Sequence, residues 1–184
     1  MKIIILFPLY FPKTVHNRPF FIAVCFCLCY NENIINIIDG RGRNLIKIIY
    51  GRKGIGKSRK LIDIANTEFA KNGQNSVFID KDTDRMDAID CGIRFINATE
   101  YNIDGPKMFT GFISGIAAQD FDLQKIYINS FTKVIRHPIE ELEGMFDFLN
   151  TFSEKFNVDL YISITSETPV PEFLHKYTLE EITE

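Results

Sequence analysis

The octapeptide Gly51-Arg52-Lys53-Gly54-Ile55-Gly56-Lys57-Ser58 fits the pattern G-x-x-x-x-G-K-[ST]. What brackets it constrains the fold. Leu45-Ile-Lys-Ile-Ile-Tyr50 is a short apolar run, the pattern of a parallel strand buried on both faces. Beyond the octapeptide, Leu61, Ile62, Ala65 and Phe69 share one face at helical spacing, and Gly73 is a helix stop. The bare pattern arises by accident in roughly one chain of this length in a hundred. A strand before it and an amphipathic helix after it are the context that confirms it.

Glycines let the backbone of such a loop turn tightly and bring its N–H groups against phosphate oxygens. Lys57 is placed to reach β- and γ-phosphates, and the Ser58 hydroxyl to ligate magnesium. The start of the helix adds its positive dipole end. Gly51, Arg52, Lys53, Gly54, Ile55, Gly56, Lys57 and Ser58 are therefore expected to bind a nucleoside triphosphate, ATP before GTP, with Mg2+. Lys53 either adds charge near the phosphates or is a solvated lysine. No N-K-x-D run for guanine is present.

The remainder alternates strand and helix. Ser76–Asp80 and Arg94–Asn97 read as strands, and Pro106 opens a helix with Phe109, Phe112, Ile113 and Ile116 on one face. Lys125–Asn129 is a strand. Pro138 opens a longer helix that turns Leu142, Met145, Phe146, Leu149, Phe152 and Phe156 inward. Val158–Thr165 is the last core strand, followed by a short helix near Glu172–Tyr177. This alternation predicts an α/β fold of the P-loop nucleotide-binding type: a three-layer sandwich with a mostly parallel sheet. The polar stretch Lys81–Asp90 is expected to be a mobile loop.

A P-loop enzyme needs an acid at the end of a neighbouring strand to hold magnesium, often through water. Here that strand ends in Asn129-Ser130, so no charge is supplied there and no glutamate follows to polarise water. Asn129 is expected to accept from a metal-bound water. Asp80 and Asp82 end the second strand, where either is a substitute acid or an ordinary loop carboxylate; Lys57 and Asp80 are the catalytic candidates. Ser163, Thr165 and Ser166 are γ-phosphate sensors or ordinary strand-end residues. Arg136 is an arginine finger or a solvated side chain, and His137 and His175 are read as turn and tail residues.

The 184 residues are 46% hydrophobic, enough for one real core, and carry a net charge of −3. Of the 21 basic and 24 acidic side chains, residues 1–43 hold five basic and two acidic, leaving 16 and 22, a net of −6, for residues 44–184. An acidic body with one basic loop argues against a nucleic-acid surface. The apolar runs 3–11 and 20–30 are shorter than the ~18 residues that span a bilayer. Cys25, Cys27 and Cys29 alternate on one face of a strand, too cramped for a chelate, and only Cys91 lies elsewhere. A triphosphate user without a disulfide framework is expected in the cytosol. Residues 1–44 read either as an apolar extension or as a translated upstream region, since Gly40-Arg-Gly-Arg43 resembles a ribosome-binding site read in frame. Residues 45–184 form the nucleotide-binding domain.

From Lys47 onward the chain resembles small bacterial P-loop ATP-binding proteins, some of them labelled twitching-motility-ATPase-like. The resemblance lies in IIYGRKGIGKSRKLIDIAN (48–66), VFIDKD (77–82), IRFINATEYNID (93–104), KIYINSFTKVI (125–135) and VPEFLHKY (170–177). It implies ATP binding and this fold but no process, and it places aspartate where Asn129 stands. Three functions remain open: a slow or partner-dependent ATPase or switch, a nucleoside or small-molecule kinase, and a non-catalytic ATP-binding adaptor with an unidentified protein partner.

Overall fold

The computed structural model describes residues 45–182. The readings of residues 1–44, including the domain boundary and the three clustered cysteines, lie outside the described residues. Strand β1 (Ile46–Gly51) enters the glycine-rich loop, and helix α1 (Lys57–Asn72) leaves it. Strands β2 (Ser76–Asp80) and β3 (Arg94–Asn97) follow, then helix α2 (Gly105–Gln119) and strand β4 (Lys125–Ile128). A short helix α3 (Phe131–Ile135), helix α4 (Glu143–Phe156), strand β5 (Asp159–Thr165) and strand β6 (Thr178–Glu181) complete the order.

All six strands are parallel, in the order β3-β2-β4-β5-β1-β6. The α/β sandwich read from the sequence is observed, with a core on each face of the sheet. On one face Ile49, Phe78, Tyr127 and Tyr161 pack under Leu61, Ile62 and Ala65 of α1. On the other Ile48, Ile79, Ile128 and Ile162 pack under α2, α3 and α4. Parallel pairing puts the carboxyl end of every strand at one edge, the edge from which α1 starts.

Sequence and structure differ at several places. Pro138 opens only a 3-10 turn (Ile139–Glu141), because α4 begins at Glu143. Phe156 is exposed rather than buried, since α4 ends beneath it at a left-handed Asn157. The helix near Glu172–Tyr177 is a 3-10 turn over Glu172–Lys176. Two elements escape a reading by hydrophobic period. Helix α3 is only five residues long, and β6 is an edge strand with a single apolar residue, Leu179. The stretch Lys81–Asp90 carries a 3-10 turn at Met86–Ala88.

Phe146 of α4 joins these late elements. Fully buried, its ring lies 5.4 Å from Phe131, 5.7 Å from Phe173 and 5.6 Å from Tyr177, and the Tyr177 hydroxyl donates to its carbonyl at 3.1 Å. Removing a buried aromatic ring costs about 3–5 kcal/mol. Phe146→Ala is expected to lower the melting temperature by roughly 10 °C in a circular-dichroism melt. A change below about 3 °C would show that the C-terminal turn is not tied to the core through this ring.

Candidate functional site

The loop leaves β1 at Gly51, whose φ of 155° and surroundings admit no side chain. A Cβ there would lie 2.3 Å from Ile55 Cδ1 and 2.7 Å from the Ile182 carbonyl. Gly54 and Gly56 turn the loop with φ of 93° and 92°, left-handed values that an L side chain resists. Helix α1 then starts, its first backbone bond running from Lys60 N–H to the Gly56 carbonyl at 3.0 Å. Among the described residues no group accepts from the consecutive N–H groups of Lys53 to Arg59. They form a row of free donors at the positive end of α1.

Lys57 folds back onto the start of the loop. Its residue is buried, and its ammonium donates to the Arg52 carbonyl at 2.5 Å. Burial holds its pKa below the usual lysine value. The Lys133 ammonium on α3 lowers it further, while Glu167 opposes the shift. Lys133 is therefore a second cation beside Lys57, and it went unnoticed because α3 itself was not visible in the sequence. The Ser58 hydroxyl, half-buried, has no hydrogen-bond partner among the described residues. Arg52 and Lys53 are exposed, with Arg52 Nε 3.8 Å from Glu167 Oε2.

Asn129 is not free to serve a metal-bound water in the way its sequence position implied. It follows β4 and is 0% exposed. Its Nδ2 donates to Asp80 Oδ2 at 2.8 Å, and its Oδ1 accepts from the Ser163 hydroxyl at 2.8 Å. Ser163 Oγ in turn accepts from the Ser130 N–H at 2.8 Å. Asp80, 1% exposed, also accepts from Lys81 N–H at 2.7 Å through Oδ1, with Arg85 Nη1 3.5 Å from Oδ2. Burial raises its pKa above the ordinary carboxylate value, against the lowering pull of Asn129, Lys81 and Arg85. The register puts Asp80, Asn129, Ser163 and Ile49 in one row across β2, β4, β5 and β1, on the α1 face.

The other candidates scatter. Asp82 accepts from the Asp84 N–H at 3.3 Å in its own turn. Thr165 uses its carbonyl toward Thr132, and Ser166 and Thr168 share a hydroxyl pair at 2.7 Å. Arg136 is an exposed, left-handed cap of α3. His137 Nε2 lies 3.7 Å from Glu141 one helical turn on, and His175 sits exposed in the C-terminal 3-10 turn.

Beside the loop a cleft of about 460 Å³ opens between Tyr50, Arg52 and Ile55 on one side and Glu167, Pro169 and Ile182 on the other. Its walls are tied to β1: Ile182 N–H donates to the Tyr50 carbonyl at 3.0 Å and Ser166 N–H to the Gly51 carbonyl at 3.3 Å. The Tyr50 hydroxyl bonds the Thr168 and Pro169 carbonyls at 3.1 and 3.3 Å. Sequence reasoning missed this wall, because it is assembled from the turn after β5 and the edge strand β6. Among the described residues no helix is long and apolar enough to cross a membrane, and no group of three or more metal-ligating side chains is gathered.

No protein-family model and no curated protein matches the chain. Among the solved structures similar in part to this chain are the following two. PCH-2 of C. elegans aligns over 84% of this chain and 37% of its own length, with a TM-score of 0.49 and 14% identity. The flagellar accessory protein FlaH from Methanocaldococcus jannaschii aligns over 74% of this chain and 70% of its own, with a TM-score of 0.48 and 15% identity. This chain thus spans well under half the length of PCH-2. The fold assignment rests on the sheet order, the parallel register and the β1–loop–α1 unit themselves.

Gly51→Ala tests the loop geometry. The clash and the left-handed φ are expected to cost about 2 kcal/mol or more, a fall of roughly 5 °C in melting temperature. An unchanged melt would mean that the loop and Ile182 readily separate.

Proposed function

We propose that this chain binds a nucleoside triphosphate, ATP foremost, with the triphosphate on Gly51–Ser58 and its magnesium ion beside Ser58. The row of unaccepted N–H groups from Lys53 to Arg59 carries this reading. Unpaired donors converging at a helix start favour a polyanion. Lys57, whose charged form burial and the neighbouring Lys133 already disfavour, gains when an anion binds beside it. The cleft beside Tyr50 and Ile55 lies within the usual size range of small-ligand sites and suits the base and ribose.

Asp80, 1% exposed and bonded to Asn129 and Lys81, lies three strands away from β1 and is not placed to join a magnesium ion, whereas the uncommitted Ser58 hydroxyl fits one. A magnesium ion there would neutralise charge on the phosphate oxygens. Within the chain, Lys57 orients the terminal phosphates, the loop amides hold them, and Lys133 adds charge from α3. Hydrolysis on this reading is slow or depends on a partner. Ser130 stands where a water-polarising carboxylate would be, and its N–H is spent on Ser163. That same observation favours, as a second reading, an adaptor that binds ATP to shape a protein-binding surface without turning it over.

Titration calorimetry with a non-hydrolysed ATP analogue tests the reading. Lys57→Ala is expected to weaken binding at least about tenfold with the fold retained. Equal affinity would reject it. Phosphate release above the Lys57→Ala background separates the slow enzyme from the adaptor.

The pH dependence follows from Lys57. Its pKa is lowered in the free protein, and a bound anion favours the charged form. Affinity is therefore expected to fall as pH rises through that lowered value, short of the usual 10.5 of lysine. Lys57→Arg, which stays charged, should remove the fall. A native pH profile as flat as that of Lys57→Arg would show that the Lys57 charge plays no part.

A further inference from the structure

We infer that Lys133 on α3 is the cation that reads the terminal phosphate of the bound nucleotide, so that this site distinguishes a nucleoside triphosphate from a diphosphate. This rests on the nucleotide reading above and makes it more specific.

Helix α3 is a fixed platform. Phe131, Val134 and Ile135 are buried in the core, which leaves Lys133 on the exposed face of the helix. Left-handed Ser130 and Arg136 stop the helix at its two ends. The Ser130 N–H donates to the Ser163 hydroxyl at 2.8 Å, and the Thr132 hydroxyl donates to the Thr165 carbonyl at 3.4 Å. These two bonds lay the start of α3 over the carboxyl end of β5. Thr165 is in register with Gly51, where the glycine-rich loop begins. Lys133 thus rises one strand away from the loop, on an element that both the core and β5 hold in place.

The sheet order gives a bound nucleotide its direction. Along β4-β5-β1-β6, the cleft that suits base and ribose is closed by Glu181 and Ile182 at the end of β6, and no residue of α3 lines it. Helix α3 starts on the other side, where β4 ends. A triphosphate that leaves the cleft and crosses the loop therefore runs toward α3, and its last phosphate is the one farthest from the base. Lys57 lies between the two sides. Burial and then the Lys133 charge lower its pKa, whereas Glu167 in the cleft wall raises it. The Lys133 ammonium has no hydrogen-bond or ion-pair partner among the described residues. It also stands in the last turn of α3, where a cation suits the helix dipole. That role is the same with any nucleotide or none, whereas a lysine that faces the terminal phosphate gains a charged partner only from a triphosphate.

The test is titration calorimetry on the full chain in Mg2+, with ADP and with a non-hydrolysed ATP analogue, for the native protein, Lys133→Gln and Lys133→Arg. The native chain is expected to bind the analogue about tenfold more tightly than ADP. Lys133→Gln should lose that preference, weakening the analogue about tenfold and ADP by less than about twofold. Lys133→Arg keeps the charge and should keep the preference. Each variant should melt within about 2 °C of native, because the side chain is exposed. If Lys133→Gln melts lower, Lys133→Met, which keeps the side-chain length, replaces it in the same comparison. A glutamine or methionine variant that weakens ADP and the analogue alike, or neither, overturns the proposal, since such a lysine is a general charge or a helix cap. A native chain that binds ADP and the analogue equally overturns it too. A native chain that binds neither rejects the nucleotide reading itself.

Discussion

Parallel pairing of β1 with β5, from Ile46↔Leu160 to Gly51↔Thr165, determines where everything else in this molecule can go. A parallel neighbour ends at the same edge as β1, so the turn after β5 must pass the mouth of the glycine-rich loop. It does so at Ser166, bonded to Gly51, and it carries Glu167 and Pro169 into the wall of the cleft. The same pairing carries Ser163 into the row of Ile49, under α1. β4 and β2 then extend that row to Asn129 and Asp80 in register. Fibrous regularity in the ladder thus becomes a line of polar groups at one depth and on one face.

That line lies in a hard place for polar groups. It sits just above Phe78, Tyr127 and Tyr161, whose rings stack across the same strands. Buried polar groups are tolerated only when each finds a partner. The row meets this by strict alternation of donor and acceptor, closing on the Asp80 carboxylate. Arg85, half-exposed beside it, brings a partial countercharge from the turn after β2. The donors at the loop contrast with this. Lys53 to Arg59 leave their N–H groups without an acceptor among the described residues. One part of the edge is saturated within the protein, and the other is open to a ligand.

The elements that a period reveals were legible. β1, α1, β2, α2 and β5 appear within a residue or two of their expected limits, because each buries a continuous apolar face, and β3 also does so with Ile96 alone buried. Helix α3 and strand β6 were not legible. The first is held by two non-glycine residues in left-handed conformations, Ser130 and Arg136, which no propensity anticipates. The second is an edge with only one half-buried apolar side chain, Leu179. Both missed elements bring groups to the site: Lys133 from α3, and Glu181 and Ile182 at the end of β6.

The conformation of the glycine-rich loop was determined by sequence alone, since it needs backbone angles that only Gly51, Gly54 and Gly56 adopt without strain. So was the alternation of strand and helix, which follows from hydrophobic spacing along the chain. What Asn129 is for was decided by the tertiary structure. Read along the chain, it is an acid missing from the end of a strand. In the sheet it lies between Asp80 and Ser163, 49 and 34 residues away, and its amide suits both. Hydrogen-bond complementarity across strands depends on register, and register is a property of the folded sheet rather than of any one segment.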